Sequence, residues 1–341
     1  MSDTQPVESL AQGTERPRIG FLGVGWIGRD RMKAIVETRA IEAAAILDPS
    51  PEMAAAAREL APEAEIVSSF EALLDQKLDG VVIATPSALH AAQSIAALER
   101  GVAVFCQKPL GRTRDETAAV VEAARRAGKL LAVDLSYRHT SGIRRIRDLI
   151  VSGELGTVFA VDLVFHNAYG PGKSWFYDKA LSGGGCVIDL GVHLVDLLFW
   201  MLDFPEVARV DSRLFSHGSP IRRDSDEVED YAVATIELAS GVVARLACSW
   251  RLQAGCDAVI GADFYGTEGG ASFRNVDGSF LDFIAERHRG TQRELLVSPP
   301  DRWGGRAAAA WARRLAAGEG FDPDNEGLIA VADVLDMIYG R

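Results

Sequence analysis

From Pro17 to about Leu135, short apolar runs alternate with segments whose apolar residues recur at helical spacing. Arg18–Leu22 reads as a strand followed by a helix from about Trp26, and Ala43–Leu47 as a second strand ended by Asp48-Pro49-Ser50. Gly80–Ala84 is a further apolar run, stopped by Thr85-Pro86. The helix after it carries Ala88, Ala91, Ala92, Ile95 and Leu98 on one face and ends at Gly101, a suitable C-terminal cap. Val102–Cys106 is the next strand. Thr113 with Glu116 forms a capping-box pattern that opens a helix closed by Arg125, Arg126 and Gly128, and Leu130–Val133 returns to strand. Near-continuous apolar strands separated by helices predict a parallel sheet covered on both faces, a doubly wound α/β domain over 17–136.

Beyond it the period changes. After a helix near Ile143–Val151, alternating stretches appear at Val158–Phe165, Val207–Phe215, Tyr231–Leu238, Val242–Trp250, Ala258–Phe264 and Ala271–Asn275. Ala239-Ser240-Gly241 and Thr267-Glu268-Gly269-Gly270 read as hairpin turns between them. Strands without intervening helices predict an α+β domain with a predominantly antiparallel, open sheet over 137–341. One long insertion, about Asn167 to Leu202, runs through a glycine cluster into a helix. A last helix has Asp322 as cap, Pro323 in its first turn, and Leu328, Val331, Leu335 and Ile338 on one face.

Composition narrows the class. The 341 residues exceed the roughly 250–300 at which one hydrophobic core stops growing, which agrees with two domains. At 48% hydrophobic and 25% charged the chain is an ordinary globular one. A net charge of −12 argues against a nucleic-acid partner and fits solubility or a cationic substrate. Cys106, Cys186, Cys248 and Cys256 form no CxxC pair, so free thiols in a reducing compartment are expected. The first 16 residues read as a flexible polar tail without the apolar core of a signal peptide. The charge-free run Gly80 to Leu98 is broken by Pro86 and contains His90 and Gln93, so no membrane span is expected there. A cytoplasmic protein is the working expectation.

Gly23-Val24-Gly25-Trp26-Ile27-Gly28 matches GxGxxG, a weak pattern by itself. Here it follows a strand and opens a helix, as dinucleotide binding requires. Gly23 permits the tight turn, Gly25 lets a pyrophosphate approach the backbone, and Gly28 allows close helix–strand packing. The helix start offers free N–H groups to the pyrophosphate. Asp48 follows about 20 residues on, at the end of the second strand. Its carboxylate accepts from ribose hydroxyls and repels a 2′-phosphate, so NAD is expected over NADP; in isolation it would be an ordinary solvated turn residue.

Lys108, one of only six lysines, lies just beyond a parallel strand, where open α/β sheets bind ligands. Asp189 and His193 stand four apart, on one face of a helical turn, with Asp196 three further along. Taken alone, these are a loop lysine and a polar helix face. Together with a dinucleotide site they suit oxidation of a secondary alcohol. His193 is the expected base, Asp189 the residue that orients its imidazole, and Lys108 the donor to the reacting oxygen. The glycines Gly183, Gly184 and Gly185 are expected to let substrate or cofactor approach. No further ligand completes a metal site around Asp189, His193 and Asp196.

The combined motifs resemble the Gfo/Idh/MocA (glucose–fructose oxidoreductase and inositol dehydrogenase) family over nearly everything after Pro17. They are the GxGxxG turn, Thr85-Pro86 with His90, Lys108-Pro109, and the stretch from Gly183 to Asp196. The resemblance implies a Rossmann domain, an antiparallel sheet domain and an active site between them. It implies that Lys108, Asp189 and His193 handle the substrate hydroxyl, and that Thr85, Pro86, His90, Gln107 and Lys108 border the cofactor. Tyr137 and Arg138, and less specifically His166 and Asn167, match positions that line a sugar pocket. The implied substrate is a sugar, cyclitol or aminoglycoside-like glycoside, oxidised or, in reverse, reduced from its ketone, and the implied assembly is a homodimer or homotetramer. A non-catalytic NAD-binding regulator is the competing class, and a redox-neutral enzyme that retains its nicotinamide a third. One departure is plain: the family's usual Glu-Lys-Pro is here Gln107-Lys108-Pro109, which keeps an acceptor oxygen for the nicotinamide ribose and loses the charge.

Overall fold

Strands of four or five apolar residues, each followed by a helix, need cover on both faces, and the chain supplies it. The computed structural model describes residues 16–222 and 225–341, so the tail expected over 1–16 lies, apart from Arg16, outside the described residues. The first domain runs β1 (Arg18–Leu22), α1 (Trp26–Glu37), β2 (Glu42–Leu47), α2 (Pro51–Arg58), β3 (Glu65–Ile66), α3 (Phe70–Leu74), β4 (Gly80–Ile83), α4 (Ser87–Glu99), β5 (Ala103–Cys106), α5 (Arg114–Ala127) and β6 (Leu131–Val133). The six strands are parallel, in the order β3-β2-β1-β4-β5-β6.

Alternation decides which face each side chain serves. Val81, Ile83, Val104 and Cys106 pack with α4 and α5 through Leu98, Val120 and Val121. Val82, Ala103 and Phe105 point the other way, to Met32 and Ile35 of α1. Thr113 caps α5 by accepting from the Glu116 N–H at 3.2 Å, and Gly128 ends the helix in the left-handed region at φ 63°. The Glu116 carboxylate does not complete the capping box; it takes the Arg112 N–H instead.

The second domain continues with α6 (Ser141–Val151), β7 (Val158–Asn167), α7 (Lys179–Ser182), a π-helical turn over Val187–Gly191, α8 (Val192–Met201), β8 (Val207–Ser216), β9 (Ser219–Pro220), β10 (Tyr231–Leu238), β11 (Val243–Ser249), β12 (Ala258–Gly266), β13 (Gly270–Asn275), β14 (Phe283–Arg289), β15 (Gln292–Val297), α9 (Arg306–Ala316) and α10 (Glu326–Tyr339). Its nine-stranded sheet, β15-β14-β13-β12-β7-β11-β10-β8-β9, is antiparallel except where β7 meets β11. The helical run Lys179–Met201 is long and apolar enough to cross a membrane by composition, yet 83% of its most apolar window is buried inside the molecule. The buried part is the π-helical turn with α8, which packs in the core of this domain.

Several elements are not announced by the sequence pattern, α2, β3, α3 and β9 among them. The hairpin β14–β15 extends the sheet beyond the strands read from the sequence. Helix α9, far along the second segment, returns to the first domain, where Ala308, Trp311 and Ala312 pack on Ile19, Phe21 and Phe105. The four cysteines are free thiols, three of them buried.

Candidate active site

The C-terminal edge of the parallel sheet is where the glycine-rich turn, the lysine loop and the second domain converge. Gly23 adopts φ +80°, and a Cβ there would meet the Ala84 carbonyl oxygen at 2.6 Å. A Cβ on Gly28 would stand 2.0 Å from the Gly23 carbonyl oxygen, so any side chain would push α1 off the turn. Gly25 is different, because a Cβ there meets nothing but the Lys173 ammonium at 3.6 Å. Helix α1 has Gly25 at its N-cap and no side-chain cap, leaving its first N–H groups for a ligand. Trp26 is 86% exposed, so this position offers its backbone N–H rather than a packed ring, and Ile27 is half-buried. Asp48 accepts from Val24 N–H at 2.7 Å and Ser50 N–H at 2.8 Å, which fixes its carboxylate beside the turn. An uncapped helix start, an open glycine face and a fixed carboxylate fit a dinucleotide.

Lys108 follows β5, and its Nζ donates to both the Asp189 carboxylate and the Asp189 carbonyl oxygen, each at 2.6 Å. The other carboxylate oxygen accepts from Trp250 Nε1 at 3.0 Å. Asp189 sits in the π-helical turn, whose hydrogen bonds close five residues on rather than four. The expectation that Asp189 orients His193 fails on its bonds: both carboxylate oxygens are taken by Lys108 and Trp250, and the imidazole packs beside Tyr137 and Phe165.

The His193 ring lies 5.0 Å from that of Tyr137 and 6.5 Å from that of Phe165. Its Nδ1 is enclosed with no hydrogen-bond partner among the described residues, and the residue as a whole is half-buried. Burial, reinforced by the positive charges of Lys108 and Arg31, holds its pKa well below the ordinary histidine value, so the ring is neutral at pH 7. Tyr137 is buried among aromatic rings and its hydroxyl is pushed up, by burial first and then by Asp189.

Other expected site residues have different partners. His90 is buried, with Nδ1 at 2.6 Å from the Pro109 carbonyl oxygen and Nε2 at 2.7 Å from that of Thr85. It ties the Thr85-Pro86 loop to the Lys108-Pro109 loop instead of facing a cofactor, while Thr85 donates to Gln93 at 2.7 Å. Arg138 grips Asp196 through Nε at 2.8 and 3.0 Å and through a second nitrogen, and lies over the Phe204 ring. The guanidinium is committed to a carboxylate that is itself buried, so neither residue belongs to a free polar face. His166 stacks on Tyr231 and bonds Ser249 at 2.8 Å; Asn167 accepts from the Tyr169 N–H at 2.7 Å. A shallow pocket beside them is lined by Asp230, Tyr231, Trp250 and Arg251.

The glycine run also reads differently. Gly183 packs on Arg112, Gly184 on the Tyr339 hydroxyl and Gly185 on the Glu229 backbone, so the close neighbours belong to the chain itself. Glu229 and Trp250 were not legible as site residues. The buried Glu229 carboxylate accepts from Gly185 N–H at 3.0 Å, Val187 N–H at 2.9 Å and the Tyr339 hydroxyl at 2.8 Å, anchoring the turn that carries Asp189. Among the described residues no three His, Cys, Asp or Glu side chains gather as a metal site.

Comparison with known proteins agrees with this geometry. A model of the oxidoreductase family with an NAD-binding Rossmann fold matches residues 17–135, and a GFO/IDH/MocA C-terminal-domain model matches residues 143–272. The chain is 30% identical over 262 residues, 76% of each protein, to 1,5-anhydro-D-fructose reductase of Ensifer adhaerens. In fold it is similar to GenD2 from gentamicin A biosynthesis in complex with NAD, with TM-score 0.80 and 23% identity over 98% of this chain and 96% of that one. It is similar also to KijD10, a 3-ketoreductase from Actinomadura kijaniata in complex with NADP and TDP-benzene, with TM-score 0.80 and 22% identity over 94% and 96%. A glycine-rich turn open to a dinucleotide, a mixed sheet domain bringing Asp189 to Lys108, and these matches along most of the chain lead to one conclusion: it belongs to the Gfo/Idh/MocA family of NAD(P)-dependent oxidoreductases.

Proposed function

We propose that the chain is an NAD-dependent dehydrogenase that oxidises a secondary ring hydroxyl of a sugar, cyclitol or amino-sugar glycoside to a ketone. The observation that carries this reading is the Lys108–Asp189 pair at the edge of the dinucleotide-binding sheet. When bound, the nicotinamide supplies the hydride acceptor. Lys108 spends two of its three N–H donors on Asp189 and keeps one for the reacting oxygen, where negative charge develops. His193 is held neutral and, with its proton on Nδ1, offers the Nε2 lone pair to the hydroxyl proton. Tyr231 and Trp250 provide apolar faces and Asp230 and Arg251 polar groups, a mixture suited to a polyhydroxylated ring.

The reverse reduction uses the same groups, with His193 returning the proton. Asp48 supports NAD over NADP, since a fixed carboxylate repels a 2′-phosphate. The names of similar proteins support the substrate class: one is 1,5-anhydro-D-fructose reductase, and a neighbour in fold is GenD2 from gentamicin A biosynthesis. For assembly we propose a second copy on the uncovered face of the nine-stranded sheet, where Val164, Val233 and Ala247 stand side by side. Val164→Glu then yields a monomer in light scattering, and a monomeric parent chain contradicts that assembly.

The test is formation of reduced nicotinamide by the purified chain with NAD or NADP and a panel of inositols, free sugars, nucleotide sugars and aminoglycosides. Turnover with NAD and one substrate class supports the reading. Binding of NAD without turnover in either direction moves the chain to the regulators, and copurified nicotinamide that never exchanges moves it to redox-neutral enzymes.

A further inference from the structure

Behind Lys108 lies a buried polar cluster that hydride chemistry does not use. Arg31 on α1, Gln107 at the end of β5, and Asp134 and Ser136 beyond β6 are each less than a tenth exposed. Arg31 Nε donates to Asp134 Oδ2 at 2.6 Å, and Gln107 Nε2 donates to the same oxygen. The Ser136 hydroxyl donates to Asp134 Oδ1 and accepts from the Arg31 guanidinium at 3.3 Å.

The chemistry of these groups fixes a direction. A primary amide has a donor end and an acceptor end of nearly the same shape, and a flip exchanges them. The Asp134 carboxylate accepts from Arg31, Gln107 and Ser136 at once. Gln107 must therefore turn its NH₂ inward, which turns Oε1 outward. That oxygen has no donor among the described residues, and it is not enclosed. In this strand order the dinucleotide spans the crevice between β1 and β4. Asp48, after β2, belongs to the adenosine half, so the end of β5 belongs to the nicotinamide half.

We propose that Asp134 is a positioning residue for the cofactor: it locks the Gln107 amide with Oε1 presented to a hydroxyl of the nicotinamide-bearing ribose. The inference rests on the dinucleotide reading above. It also makes residues 107 and 134 a matched pair. A glutamate at position 107 would set a second carboxylate against Asp134 around one guanidinium, and the two would repel.

The experiment is calorimetric titration of the full chain with NAD and, separately, with ADP, which lacks the nicotinamide nucleoside. The proteins are the parent, Gln107→Glu, Asp134→Asn and the double variant. Gln107→Glu should weaken NAD about tenfold and Asp134→Asn about threefold, the scale of one hydrogen bond lost or left free to flip. The double variant should return to within about threefold of the parent, because the amide introduced at position 134 can donate to the carboxylate introduced at position 107. ADP should bind all four alike. Losses that add instead of cancelling overturn the proposal, as does an unchanged NAD affinity in Gln107→Glu. A loss shared by ADP also overturns it, since that reports a disturbed fold. Gln107→Leu keeps the test open should the Gln107→Glu variant not fold: it should lose NAD affinity and keep that for ADP. A parent that binds neither ligand overturns the dinucleotide reading itself, and this inference with it.

Discussion

Lys108 and Asp189 meet at 2.6 Å although 81 positions separate them in the chain. One comes from the loop after β5 and the other from the π-helical turn of the second domain, so the ion pair forms only when the domains are assembled. The pair is partly buried, with side-chain exposures of 19% and 14%. Removing the cation leaves Asp189 and Trp250 in place but takes away the donor to the reacting oxygen. Lys108→Met should lower turnover by about 10²–10³-fold, the usual loss for one such donor. Steady-state kinetics checks this, with NAD affinity measured separately and expected to change little.

His193→Ala should lower oxidative turnover by about 10²–10⁴-fold, the range for a general base. The pH dependence is the more specific check. Burial and the nearby Lys108 and Arg31 favour the neutral ring, so its folded pKa lies below the ordinary 6.5. The active base is the unprotonated form. Oxidation should therefore stay flat as pH falls through 6.5 and decline only well below it. An acid limb centred at the ordinary histidine value, retained in His193→Ala, would point to another group.

Asp48→Ala should narrow the preference for NAD over NADP, read as the ratio of kcat/KM values. It should also weaken NAD itself, because the same carboxylate holds the Val24 N–H of the glycine-rich turn. A parent enzyme that uses both cofactors equally well contradicts the role given to Asp48.

Asp196→Ala separates a structural from a substrate-binding role for Arg138. Asp196 is buried and its carboxyl is raised by that burial, with Arg138 acting against the shift. Removing it strands the guanidinium and should cost about 3–5 kcal/mol of stability. Denaturant unfolding measures this. A variant of parental stability with a much higher KM would return Arg138 to the sugar pocket.

Much of this was legible in the sequence because the signals are local. Runs such as Gly80–Ile83 and Ala103–Cys106 announce buried parallel strands, and the spacing of Gly23, Gly25 and Gly28 marks the turn that needs them. What was not legible depends on distant contacts. Trp311 looks like any residue of an alanine-rich helix until it packs on Phe105, more than two hundred positions away. Strand β15 has Gln292, Arg293, Glu294 and Leu295 all exposed, so alternation gives no signal there. Helical spacing misleads at one pair: four residues apart, Asp189 and His193 look bonded, but the carboxylate is taken by Lys108 and Trp250, both more than sixty positions away. Glu229 carries no local hint of its task, since its partners Gly185, Val187 and Tyr339 lie far from it in the chain.

The most direct measurement is the rate of reduced-nicotinamide formation with saturating NAD and the sugar panel, run side by side on the parent chain and Lys108→Met. The parent should turn over at least one cyclic polyol or glycoside, and Lys108→Met should lose nearly all of that turnover while still binding NAD. Equal rates in the two proteins on the same substrate would contradict the role given to Lys108.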